Sequence, residues 1–181
     1  SLPKPTNDFI SQTSYINDNL IDELKNEQVR MHENHPYFEA AIKFFKKDVG
    51  IQELEIPVFH DLYPVRHTKQ KEFVQFIKHK ENKEFREKLD EATKNLIDGI
   101  MPDIIVIANA KASELMQKIF FGESEAEKIK LKGETKRTYR LNGKKTDMFF
   151  SSMLSGQRAL DTYSRSRLAK EIIETWKDRN N

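Results

Sequence analysis

At 181 residues, 37% of them hydrophobic and 33% charged, the chain can bury one substantial core but is cramped for two. Its 31 basic and 29 acidic side chains leave a formal net charge of +2, so no whole-molecule field marks it for a polyanion; a composition with twelve Phe is too apolar for a disordered chain. The absence of cysteine excludes disulfides, a thiolate nucleophile and thiolate-bound zinc, and it suits a reducing cytoplasm.

Pro3 and Pro5, beside Thr6 and Asn7, read as an extended arm. Ile16, Leu20, Leu24 and Met31 then form one apolar stripe at helical spacing, and a second helix is expected after Pro36, with Tyr37, Ala41, Phe44 and Phe45 inward and Gly50 at its end. Residues 56–59 are β-branched and aromatic and predict a strand leaving the core into the polar run that begins at His60 and Asp61. Helical pattern resumes at Lys69 through Phe73, Phe76 and Ile77. After a charged break it resumes again through Phe85, Leu89, Ala92, Leu96 and Ile100, punctuated by Gly99 and Pro102.

Residues 103–108 predict a central parallel strand covered on both faces, followed by a helix through Ala112, Leu115, Met116 and Ile119. Residues 136–141 and 146–152 flank Asn142-Gly143, a strong hairpin signal. The last helix is expected from about Ser164, as N-cap, through Leu168, Ile172, Ile173 and Trp176. The charged segment 78–88 reads as a solvated helix start. The longest apolar run, residues 104–108, is far below the roughly 20 residues of a membrane span, and no secretory leader opens the sequence, so a cytoplasmic protein without membrane contact is expected.

The expected fold is a single α/β domain over 1–181. Residues 1–50 would supply an N-terminal loop and helices, and residues 51–181 a strand–helix core with a closing hairpin and a C-terminal helix. Ligands of open α/β sheets bind beyond the carboxyl ends of the strands, where helix N-termini present free N–H groups. That rule selects the loop from His60 to Thr68, the turn from Asn109 to Ser113, and the loop from Ser151 to Arg158. Each has a structural alternative: Asp61 as a turn cap, Asn109 as a helix N-cap, and Ser155-Gly156 as a tight turn. His32, His35, His60, His67 and His79 include no i, i+4 pair, so no metal is expected. No glycine-rich phosphate loop is present and Ser155 lies in no nucleophile elbow, so no cofactor is expected either.

Along these loops the chain resembles the uracil-DNA glycosylase superfamily in motif order. Leu2-Pro3-Lys4-Pro5 is similar to the end of the family's first loop, His35-Pro36-Tyr37-Phe38 to its aromatic base-stacking element, and residues 58–66 to its base-reading strand and loop. Residues 101–113 and 139–158 match the later strand and the closing hairpin with its loop. The sequence departs from the pattern at Asp61 in place of Asn, at Leu2 in place of a polar residue, at Met153 in place of His, and in having no strand before Leu2.

The resemblance implies a three-layer α/β/α fold with a short, mostly parallel central sheet. It also implies DNA as partner and hydrolysis of an N-glycosidic bond in base excision, with that activity altered or lost. Tyr37 or Phe38 would stack on the base, Asn109 would help to read it, and Asp61 would contact its edge or act as general base. Lys4, Arg66, Lys111, Ser155, Gln157 and Arg158 would approach the nucleic-acid backbone. Two other readings of the same loops are a non-catalytic protein-interaction domain and a small-molecule nucleoside-type hydrolase.

Overall fold

The computed structural model of the chain describes residues 36–54, 57–63, 70–157 and 159–180, without the side chains of Pro36, Tyr37 and Gln70. The N-terminal arm and the helix expected from Ile16 to Met31 lie outside the described residues. The chain divides into two compact units, Ser1–Ala40 and Ala41–Asn181, and the sheet belongs to the second.

Helix α1, Pro36–Lys43, starts on a proline whose missing N–H costs a first helical turn nothing. It widens into a π-helical turn over Phe44–Val49 and stops at Gly50, whose φ of 63° allows its N–H to reach the Phe45 carbonyl. Helix α2, Gln70–Lys78, and helix α3, Lys83–Ile100, follow, separated by a short 3-10 turn. In α3 the buried positions are Leu89 and Thr93, while Ile100 is 62% exposed, so the inward stripe runs through Thr93 rather than the expected Ala92 and Ile100. Thr93 can be buried because its hydroxyl donates to the Leu62 carbonyl.

The strand expected at 56–59 is not formed in its described part. Residues 57–60 make no ladder, Pro57 has no N–H to give one, and Val58 is 91% exposed. Strand β1, Ile104–Ala108, leads into α4, Ala110–Phe121, and then α5, Glu123–Lys132. Strands β2, Lys136–Leu141, and β3, Lys144–Ser151, form the expected hairpin, with Asn142 at φ 50° and Gly143 at φ 81° in the left-handed turn that matches strand twist. Helix α6, Thr162–Asn180, closes the chain.

The sheet order is β1-β3-β2, with β1 parallel and β2 antiparallel to β3. Among the described residues the central strand is therefore β3, not the expected β1. Burial explains this: residues 146–150 are all buried, whereas only Ile107 of β1 is. Side chains alternate faces along both strands. Phe149, with Ile104, Val106 and Ala108, packs on one face with Leu168, Ala169 and Ile172 of α6 and with Phe44, Phe45 and Val49. Met148 and Phe150, with Ile105 and Ile107, pack on the other with Met116 and Phe120 of α4 and Ile129 of α5. Helices thus cover both faces of a mixed sheet. No described helix is long and apolar enough to cross a membrane.

Candidate functional site

The register pairs Ala108 with Ser151, so β1 and β3 deliver their carboxyl ends side by side. The turn after β1 is built on Asn109. Its backbone is extended, and its side-chain oxygen accepts from the N–H groups of Lys111 at 2.8 Å and Ala112 at 3.1 Å, which is the N-cap alternative realised. Ser113, one turn into α4, is buried, and its hydroxyl reaches the Ile107 carbonyl at 3.3 Å and the Ser151 carbonyl at 3.2 Å. One side chain thus ties the helix start to the ends of both strands. Lys111 pairs with Glu114, and this hydrogen bond holds the Glu114 carboxyl below its usual range.

The loop after β3 closes on itself. Met153 and Ala159 form an isolated parallel bridge, the Leu160 N–H donates to the Met153 carbonyl at 2.9 Å, and the Ala159 N–H to the Gly156 carbonyl at 3.1 Å. Gly156, at φ 83°, makes the tight turn at its tip. Leu154 is buried beneath, while Ser155 is half-buried and Gln157 exposed. Helix α6 begins just beyond. Its cap is Asp161, not the expected Ser164: the Ser164 N–H and hydroxyl both donate to the Asp161 carboxylate, at 2.9 and 2.7 Å. A carboxylate offers two acceptors to the helix start, and those bonds, led by the backbone N–H of Ser164, lower the Asp161 pKa.

Asp61 is exposed, on a segment anchored from both sides. Phe59 packs against the core cluster on the α6 face and Leu62 against the cluster on the α4 face. Tyr63 is buried, stacks edge-on to Phe73 at 6.0 Å, and donates its hydroxyl proton to Asp90 of α3. Burial raises the Tyr63 pKa above its ordinary value, and the Asp90 hydrogen bond adds to the rise.

A shallow cleft of about 150 Å³ lies between α2, α3 and α4, lined by Ile77, Arg86, Asp90, Glu114, Leu115 and Lys118 among others. Of its lining residues, Asp90 accepts from Tyr63 and Glu114 pairs with Lys111. None of the site residues expected from sequence lines this cleft, although Ile77 and Leu115 are among the expected helix positions. Of its charged lining, Lys78 and Arg86 fall in the segment 78–88 expected as a solvated helix start, and tertiary packing sets them beside Asp90, Glu114 and Lys118.

The strand register and the two loops bring Asn109, Lys111, Ser155 and Gln157 to one end of the sheet, whereas Asp61 lies on a separate exposed segment. Phe38 is half-buried in α1 and belongs to the first unit. Lys4, Arg66, Arg158 and the Tyr37 side chain lie outside the described residues, as do Leu2 and His67. Met153 is half-buried, and its backbone carbonyl accepts from the Leu160 N–H to clasp the loop. Compared with family models, curated proteins and solved structures, the chain matches none.

Proposed function

We propose that the chain is a DNA-binding protein of three-layer, uracil-DNA glycosylase-like architecture whose ligand meets the carboxyl end of the sheet. One observation supports this reading above the others: Ser113 joins the Asn109 turn to the end of β3, so two helix starts, those of α4 and α6, rise from neighbouring strand ends. Both starts are capped, by Asn109 and by Asp161, so a ligand there would meet the polar side chains of the two loops rather than free backbone N–H groups. In this reading Asp61, exposed on a firmly anchored segment, contacts the base edge or takes a proton from water, while Asn109, Ser155 and Gln157 supply neutral polar contacts.

Asp61→Asn tests the reading because it keeps the shape and removes the charge. We expect the unaltered chain to bind labelled oligonucleotides and, where base excision is retained, to release free base from strands carrying modified bases. Asp61→Asn should abolish release while leaving the melting temperature unchanged. A chain that binds no oligonucleotide above the level of an unrelated protein overturns the proposal.

The non-catalytic interaction domain has one observation in its favour. Lys111, Arg137, Arg165 and Arg167 are all engaged by carboxylates of the same chain, so these four cations are not spare for phosphate. Under that reading Asp61→Asn changes nothing measurable and a protein partner of defined stoichiometry is recovered.

A further inference from the structure

We infer that the outer edge of β2 docks an acidic, extended peptide segment of a protein partner, which adds to the sheet as a further strand. The surface belongs to the hairpin and is distinct from the loops at the carboxyl ends of β1 and β3. Strand β2 is last in the order β1-β3-β2, so among the described residues one of its edges has no neighbour. The Phe150 N–H donates to the Thr135 carbonyl at 2.7 Å, and the ladder bonds of an antiparallel pair fall on alternate residues. Arg137, Tyr139 and Leu141 therefore bond to β3, and Lys136, Thr138 and Arg140 turn their N–H and C=O groups to the open edge.

Charge selects the occupant. Residues 136–145 include Lys136, Arg137, Arg140, Lys144 and Lys145 and no carboxylate. Arg137 is paired with Glu125 and Glu134, and Lys136 donates to Thr175 of α6. Arg140, Lys144 and Lys145 are exposed and, among the described residues, have no ion-pair partner. Arg140 and Lys145 also stand opposite one another in the register, a destabilising like-charge pair that a neighbouring anion would relieve. A second copy pairing edge to edge would bring the same cations together, which is how basic residues on edge strands prevent self-association. Phosphates would neutralise the cations but only accept hydrogen bonds, leaving the outward carbonyls of β2 without a donor. A peptide backbone supplies donors and acceptors at the spacing of the strand. Its acidic side chains, at every second position, fall beside Lys136 and Arg140 on the α6 side, and apolar ones between them fall beside Tyr139 and Leu141 on the other.

The test measures fluorescence anisotropy of the full chain with a labelled peptide of alternating glutamate and valine. Two control peptides carry glutamine in place of glutamate and proline in place of valine. The acidic peptide should bind more tightly than either control, and amide exchange at Lys136, Thr138 and Arg140 should slow when it is bound. The double variant Arg140→Gln, Lys145→Gln should bind it about five-fold more weakly or worse. That variant should melt no lower than the unaltered chain, because both side chains are exposed and repel one another. Failure of the unaltered chain to bind the peptide overturns the inference, as do equal binding of the proline control, unslowed exchange at the three amides, or unchanged affinity of the double variant. Oligothymidylate that binds where the peptide does not, and is released by the same double variant, also overturns it and makes the hairpin a phosphate-binding surface.

Discussion

At Tyr63 a phenol with 6% of its surface exposed is kept in the protein by one acceptor, Asp90. Burial raises the Asp90 carboxyl above its ordinary value, outweighing the Tyr63 hydrogen bond and the nearby Arg86, so the folded protein binds a proton there more readily than the unfolded chain does. The contribution of Asp90 to stability therefore falls as pH rises from the ordinary carboxylate value, near 4, through the higher folded value. Tyr63→Phe strands a desolvated carboxylate and should cost roughly 1.5–3 kcal/mol at pH 7 by denaturant unfolding. Asp90→Asn keeps an acceptor for the phenol and removes the charge. It should leave stability at pH 7 unchanged or higher and delete that part of the pH profile. A Tyr63→Phe protein as stable as the parent would show that the pair is not what holds the Asp61 segment. None of this is legible from sequence, because Tyr63 and Asp90 are 27 residues apart and carry no joint pattern.

At the scale of elements, α6 is fastened to the hairpin by a polar stripe at every fourth residue. Glu171 meets Thr135 at 3.0 Å, Thr175 meets Lys136 at 2.7 Å, and Arg179 meets Asp147 at 2.8 Å. Beside this stripe the apolar Leu168, Ala169 and Ile172 reach the core. Asp147 is the most costly member, since burial alone would raise its pKa. Thr138 and the Arg179 guanidinium outweigh burial and hold the carboxyl below its usual range. A depressed carboxyl contributes its full stability above its unfolded value, near 4, and loses it as pH falls through the lower folded value.

Arg179→Met leaves a buried carboxylate without its cation and should cost roughly 3–5 kcal/mol at pH 7. It should also flatten the loss of stability below about pH 4 seen in the parent. Thermal unfolding from pH 3 to pH 7 checks both, and a change under about 1 kcal/mol would mean that the apolar stripe alone fastens the helix. The sequence showed the apolar half of α6 by its period but not the polar half, whose partners sit on another element. Helix α5 was missed for the reverse reason: only Ala126 and Ile129 of it are buried, too few to show a period.

Charge acts at the scale of the whole molecule. A formal +2 spread over 31 basic and 29 acidic residues gives no whole-molecule field that draws DNA toward the chain. Oligonucleotide binding should therefore depend only weakly on salt. Log affinity against log salt should have a slope no steeper than about −2, corresponding to fewer than about three phosphates neutralised. Anisotropy titrations between 50 and 200 mM salt measure it, and a slope near −5 would reveal a phosphate track of several lysines and arginines.

By itself the sequence determined the local elements whose signals are carried by near neighbours: the stop at Gly50, the helices over 70–78 and 83–100, the Asn142-Gly143 hairpin, and the Asn109 cap. Tertiary structure alone decided which strand lies at the centre and that residues 57–60 form no ladder. It also decided that Ser113 ties two strand ends together, and that Asp90 and Glu114 share a cleft. The division follows from range. Backbone dihedrals and caps depend on residues within a turn or two, whereas strand order, burial and the pairing of charges depend on which distant segments the hydrophobic faces bring into contact.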